Sequence, residues 1–144
     1  MNLIIMDEKV KHLELIQGVI NRLAQVSFIL KGWAVTLVVG LLVVVANTPH
    51  WWYGFMGLIP IFVFWGLDAF YLRQERLFRL LYEKARTGSN GSGIPIFSMD
   101  TSGLQSNTDN WGKTLFSLTL LGVYGMLGLL VVIASLMMIL TRCH

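Results

Sequence analysis

Between Val10 and Leu30 the apolar positions recur with a helical period. Leu13, Ile16, Ile20 and Leu23 alternate in steps of three and four and are continued by Ser27 and Leu30. Lys9, Lys11, Glu14, Gln17, Asn21, Arg22 and Gln25 fill much of the other face. This spacing predicts an amphipathic helix, too polar to cross a bilayer, whose seam serves the protein's own helices, a partner helix or a membrane surface. From Phe28 to Ala46 the pattern becomes a continuous apolar run broken only by Lys31, with Trp33 near the same end, and predicts a first membrane span. Asn47-Thr-Pro-His50 reads as a tight turn, and Trp51, Trp52 and Tyr53 as an aromatic belt. A second span is expected from there to about Phe70, with Pro60 kinking it.

Leu72 to Arg86 reads as a continuation of that helix into water, with Leu77, Phe78, Leu80 and Leu81 set among cations. Thr87-Gly-Ser-Asn-Gly-Ser-Gly93 predicts a flexible break, Ile94-Pro-Ile-Phe-Ser-Met99 has a short strand-like character, and a polar loop follows to Asn110. A third span is expected between Leu115 and Leu140, anchored at its start by Trp111 and Lys113. That uncharged run exceeds the roughly 20 residues a crossing needs, so a tilt or projection is expected.

Composition agrees with this pattern. Of 144 residues, 55% are hydrophobic and 13% charged, against roughly 25% charged in ordinary soluble proteins. A soluble domain this small could not bury so much apolar surface. Ten of the eleven Lys and Arg residues lie in the N-terminal helix with Lys31 and in 72–113, and the 47–53 turn has none. The positive-inside rule therefore places those two segments in the cytoplasm and the C-terminus outside. The net charge of +3 needs no partner beyond this topology-setting role, although it also suits anionic lipid or a nucleotide. A single cysteine, Cys143, permits no internal disulfide. The N-terminus lacks the pattern of a secretory signal peptide.

Candidate chemistry is sparse. His12, His50 and His144 are scattered, and the chain contains no CxxC, HExxH, GxSxG or phosphate-loop pattern. Gly91-Ser-Gly93 lacks the lysine of a phosphate loop and reads as a linker. No catalytic residue, metal site or cofactor is expected, and the chain is not read as an enzyme. Three features remain. Arg73, Arg76, Arg79, Lys84 and Arg86 form a basic helix that suits either phosphates of a nucleotide or lipid headgroups. Gly122, Gly125 and Gly128 allow close helix approach in the third span, for packing within the subunit, self-association or a pore lining. Asp68 is an ionisable group inside a span, which is costly unless paired.

Hairpin geometry suggests its partner. Lys31 and Asp68 both lie about eighteen residues from the turn centre, so helices rising about 1.5 Å per residue bring them to nearly one depth. The two are expected to form an intramembrane pair. The competing expectation has Lys31 snorkelling to the headgroups and Asp68 facing a water-filled vestibule.

Several stretches together carry a resemblance. His12-Leu-Glu-Leu-Ile-Gln17, Val19-Ile-Asn-Arg22, Ser27-Phe28, Lys31-Gly-Trp-Ala-Val-Thr36, Phe64-Trp-Gly-Leu-Asp-Ala-Phe-Tyr-Leu-Arg-Gln-Glu-Arg76 and Phe97-Ser-Met-Asp100 resemble a family of small bacterial membrane proteins associated with phage defence. Its functional relatives are oligomeric ion-channel effectors of the Hailong protein A type. The resemblance implies a defence context and channel activity. It also implies a gating signal, a nucleotide or DNA oligomer made by a partner nucleotidyltransferase.

The sequence thus predicts an all-α integral membrane protein of four parts. These are an amphipathic cytoplasmic helix (1–30), a transmembrane hairpin (28–71), a basic helix and polar insert with a short strand (72–113), and a third transmembrane helix with a short tail (114–144). It is expected to sit in the bacterial inner membrane as a homo-oligomer in contact with lipid. Its expected role is a signal-gated ion channel, or alternatively an anchor that recruits a cytosolic partner protein. A small transporter ranks last, because the ionisable groups within the spans lie near one edge.

Overall fold

The computed structural model describes residues 2–46, 48, 51–87, 98–108 and 110–142. Among them every regular element is helical: α1 (Asn2–Ala46), a 3-10 segment (Trp51–Gly57), α2 (Leu58–Thr87), a second 3-10 segment (Ser102–Asn107), α3 (Trp111–Leu115) and α4 (Leu118–Arg142). Three helical stretches are long and apolar enough to cross a membrane, within Met6–Ala46, Tyr53–Thr87 and Leu118–Thr141. The sequence-predicted turn at 47–50 lies outside the described residues except for Thr48, whose backbone N–H donates to Val45 O at 2.9 Å. The Gly91–Gly93 linker and most of the 94–99 strand-like stretch also lie outside them, as do Cys143 and His144; Ser98 to Asp100 have no regular structure.

The change of composition near residue 30 does not interrupt the helix. The amphipathic segment and the first span are one helix of 45 residues, about 68 Å long at 1.5 Å per residue and over twice the thickness of a bilayer's hydrocarbon core. No proline interrupts it, and Gly18, Gly32 and Gly40 are isolated single glycines, each a cost a long helix tolerates. Its buried positions explain the continuity. Ile20, Ser27 and Ala34 fall seven residues apart, as do Val38 and Val45. A seven-residue repeat keeps one seam facing the same neighbour along the whole length. That neighbour is α2, which packs against α1 more extensively than any other pair of elements does.

Pro60 does not kink a helix. The second apolar stretch starts as the 3-10 segment, and Pro60 falls in the first turn of α2, where a missing N–H is tolerated. The third apolar helix is present over nearly the expected bounds, as α4 from Leu118 to Arg142; ahead of it, the anchor residues Trp111 and Lys113 form five-residue α3, set off by a break at Phe116 and Ser117. The Ser117 carbonyl opens α4 by accepting the Leu121 N–H at 2.9 Å. The freed Leu115 carbonyl accepts the indole N–H of Trp65 at 2.9 Å.

Two apolar cores result. The first joins α1, α2 and α4 through Ala34, Val38, Ile61, Ala69, Leu120, Tyr124, Leu127 and Val131. Outward from it, Phe28 (78% exposed) and Leu118 (88%) mark an apolar exterior that fits lipid as solvent. The second core, toward the free ends of the hairpin, is built from Ile16, Ile20, Leu77, Leu81 and Leu104. In water each such aliphatic side chain contributes about 1.5–3 kcal/mol on burial. A bundle surrounded by lipid would lack that driving force and would depend on close packing and hydrogen bonds. Close packing is visible at Gly54 and Gly57. A Cβ at Gly54 would lie 2.5 Å from Ser135 Oγ, and one at Gly57 would lie 3.3 Å from Val131 Cγ2, so both glycines let the 3-10 segment touch α4.

The segment before α3 is tied to the second core. Leu104 inserts its side chain there, and His12, buried on α1, has Nε2 3.1 Å from Ser98 O. Asp100 Oδ1 accepts the Ser102 N–H at 2.8 Å at the start of the second 3-10 segment. Hydrogen bonds from the Ser102 side chain and backbone hold the Asp100 carboxyl below the usual carboxylate range.

Candidate functional site

Between the two cores lies a polar layer. On α1, Ser27 and Lys31 are one helical turn apart, so their side chains share a face. Ser27 occupies the inward seam, where its neighbours in the repeat, Ile20 and Ala34, are apolar. On α2, Asp68 is buried with no exposed surface, next to Ala69 of the first core. The antiparallel pairing brings Lys31 Nζ to 2.6 Å from Asp68 Oδ2. Ser27 Oγ donates to Asp68 Oδ1 and accepts from Lys31 Nζ at 2.7 Å. From α4, the Tyr124 hydroxyl donates to Asp68 Oδ2 at 3.2 Å. One carboxylate therefore receives donors from three polar residues on two other helices.

Removing a carboxylate from water is tolerated only when its oxygens are satisfied and its charge is matched. Here both conditions are met. The two sides of the pair differ in access: the Lys31 side chain is 22% exposed and the Asp68 side chain 0%. An aromatic group backs the layer. Trp65 stacks on Tyr124 (centroids 6.4 Å apart, rings 16° from parallel) and meets Phe116 edge-on at 6.2 Å. The Tyr124 ring is thus held by stacking while its hydroxyl is held by Asp68, which fixes the start of α4 against the hairpin.

Two of the cations of the basic helix are engaged by glutamates of that helix. Arg79 is ion-paired with Glu75 on its own helix at 2.6 Å, and Arg86 with Glu83 at 2.9 Å. The Arg86 carbonyl also accepts from Lys9 Nζ at 3.3 Å, which ties the two free ends of the hairpin together. Arg73 and Arg76 are partly buried and Lys84 is exposed. The buried Nε of Arg73 makes no hydrogen bond among the described residues.

Gly122, Gly125 and Gly128 do not serve packing within the subunit. A Cβ at any of the three would meet nothing within 4 Å, and Gly122 and Gly125 lie on the exposed face of α4. The physical reason is rotational: the inward face of α4 is set by Leu120, Tyr124, Leu127 and Val131. The glycines that make close contacts are Gly54 and Gly57, to which the sequence pattern gave no role. Ser27 and Tyr124 also went unassigned. A hydroxyl on an apolar seam and a tyrosine hydroxyl within an otherwise apolar span were the available signals.

Among the described residues no group of three or more His, Cys, Asp or Glu side chains is placed to hold a metal ion. Compared with protein-family models, curated proteins and solved structures, the chain matches none.

Proposed function

We propose that this protein is one subunit of a homo-oligomeric ion channel in the bacterial inner membrane, an effector of anti-phage defence gated by a nucleotide or oligonucleotide signal. The defence context, the channel activity and a signal made by a partner nucleotidyltransferase rest on the resemblance of residues 12–100. The observation that carries the gating part of the reading is the continuity of α1. One continuous 45-residue helix contributes Ile16 and Ile20 to the second core and Ala34 and Val38 to the first. A change at the projecting end is therefore transmitted into the apolar bundle without a hinge.

In this reading the second core faces the cytoplasm, as the Lys and Arg distribution favours, and the C-terminus is periplasmic. Three crossing helices are too few to enclose a water-filled path, so conduction requires several subunits. The unpartnered glycines of α4 supply a surface for close approach. A phosphate-bearing signal would be held by Arg73, Arg76, Arg79, Lys84 and Arg86, with Arg79 and Arg86 exchanging their intrahelical glutamates for phosphate oxygens. Such binding weakens steeply with salt.

A second reading, an anchor for a cytosolic protein, is favoured by a shallow groove of about 660 Å³ on the outer face of α1, lined by Asn21, Ala24, Gln25, Phe28 and Ile29. Reconstitution separates the two. Purified protein in liposomes loaded with a self-quenching dye or a potassium gradient should dissipate the gradient if it conducts, and signal addition should change the rate. Intact gradients at protein densities that assemble oligomers would leave the anchor reading.

A further inference from the structure

The polar layer also has the composition of an ion site. We propose that Asp68, the Ser27 hydroxyl and the Ser27 carbonyl form an oxygen cage for a small monovalent cation, a place that the Lys31 ammonium fills as a tethered ion. The distances describe that cage from the position of the ammonium. Lys31 Nζ lies 2.6 Å from Asp68 Oδ2, 2.7 Å from Ser27 Oγ and 3.4 Å from Ser27 O. A carboxylate, a hydroxyl and a helical carbonyl are hard oxygen ligands, the kind that replace the hydration shell of an alkali cation. Ammonium and potassium ions are close in size, so a cage that fits one fits the other.

The remaining donors make the site specific for a positive charge. Ser27 Oγ gives its proton to Asp68 Oδ1, which turns its lone pairs toward the Lys31 position. Tyr124 approaches Asp68 Oδ2 as a donor. With the ammonium removed, the carboxylate keeps two neutral donors and lacks its counter-charge, in a setting where an unmatched charge is expensive. Among the described residues, the ionisable groups bonded to the carboxylate are Lys31 from α1 and Tyr124 from α4, and only the lysine supplies a cation.

The lysine is also the component able to leave. Its side chain is 22% exposed while Asp68 is fully enclosed. Its charge is a compact ammonium on a flexible four-carbon stem, and extension toward the headgroup region returns that charge to a polar setting while leaving the carboxylate for another cation to match. The site then opens on the side from which a cation arrives. This inference needs no conduction, so it stands or falls separately from the channel reading.

Thermal unfolding of the full chain in mild detergent, at fixed pH and ionic strength, tests it in potassium, sodium and choline chloride. Wild type should unfold at the same temperature in all three, because its cage is filled. Lys31→Met should unfold at a lower temperature in choline and recover in potassium or sodium, since a cation at about ten times its Kd shifts the folding equilibrium about tenfold. Lys31→Met combined with Asp68→Asn should lose that cation dependence. A Lys31→Met protein indifferent to the cation, one rescued only by lowering the pH, or a double variant that still responds would each overturn the proposal. If Lys31→Met does not purify, Lys31→Gln, which keeps a donor toward Ser27, undergoes the same titration and is judged by the same outcomes.

Discussion

Lys31 on α1 and Asp68 on α2 meet at 2.6 Å across the hairpin, with the acid wholly enclosed and the base partly open. The contact sits where the apolar bundle passes into the projecting helical pair, and Tyr124 extends it to α4. The register of the hairpin and the attachment of the third long apolar helix therefore converge on one carboxylate. Charge reversal tests this. Lys31→Asp or Asp68→Lys alone leaves two like charges in the layer, and breaking a buried pair by removing one partner costs about 3–5 kcal/mol. The double swap should restore much of that loss, read as unfolding temperature or folded yield in detergent. Simple addition of the two single effects would mean that the residues do not interact.

A second expectation concerns the far end of the bundle. Gly54→Ala places a methyl group 2.5 Å from Ser135 Oγ. Ser135 is fully buried and its hydroxyl donates to Val131 O at 2.8 Å, so it has little freedom to retreat. Overpacking of this kind costs about 1–3 kcal/mol. Ser135→Gly should relieve it in the double variant. By contrast Gly125→Ala, which faces open space in the subunit, should leave the stability of the isolated subunit nearly unchanged. A Gly54→Ala protein as stable as wild type would show that the 3-10 segment does not hold this close contact.

Asp100 gives a pH dependence with a definite sign. Its folded carboxyl is held below the ordinary aspartate value of 3.8 by hydrogen bonds from Ser102. A depressed folded value means that the contribution is present above the unfolded pKa and disappears as pH falls through the folded one. The turn before α3 should therefore loosen only as pH falls below the usual carboxylate range. Carboxyl titration by NMR should give Asp100 a midpoint below 3.8, and Asp100→Asn should abolish that low titration. A midpoint at or above 3.8 would remove the turn from solution.

Much of this architecture was legible because periodicity reports burial directly. Ile16 and Ile20 were set on the inward seam by spacing alone, and the equal distances of Lys31 and Asp68 from the turn placed them at one depth. Other features depend on context that spacing does not encode. The seven-residue repeat passes through the polar-to-apolar transition near Phe28, so α1 continues where a change of composition suggested a boundary. The break at Phe116 and Ser117 has no proline or glycine to announce it; it is held by Trp65, fifty residues earlier in the chain. The rotation of α4 was hidden for the same reason. Glycines suggest close packing, but which helix they face is decided by Leu120, Tyr124 and Val131 packing inward.

That rotation leads to the last prediction. A Cβ at Gly122, Gly125 or Gly128 would meet no other part of the subunit within 4 Å, although glycine in a helix costs about 0.8–1.0 kcal/mol relative to alanine. Lipid tails gain nothing special from a groove this narrow, whereas another helix gains close backbone approach and the dispersion contacts that come with it. An oligomer contact along this face is therefore expected. With Cys143 replaced by serine, single cysteines at Gly122, Gly125 and Met126 should form disulfide-linked dimers in membranes under mild oxidation, while a cysteine at inward-facing Leu127 should not. Gly125→Leu, which blocks close approach without touching the subunit's own core, should reduce crosslinking at the neighbouring position and shift gel filtration toward smaller species. Equal crosslinking at outward and inward positions would indicate random collision. Undiminished assembly of Gly125→Leu would place the contact between subunits on another helix.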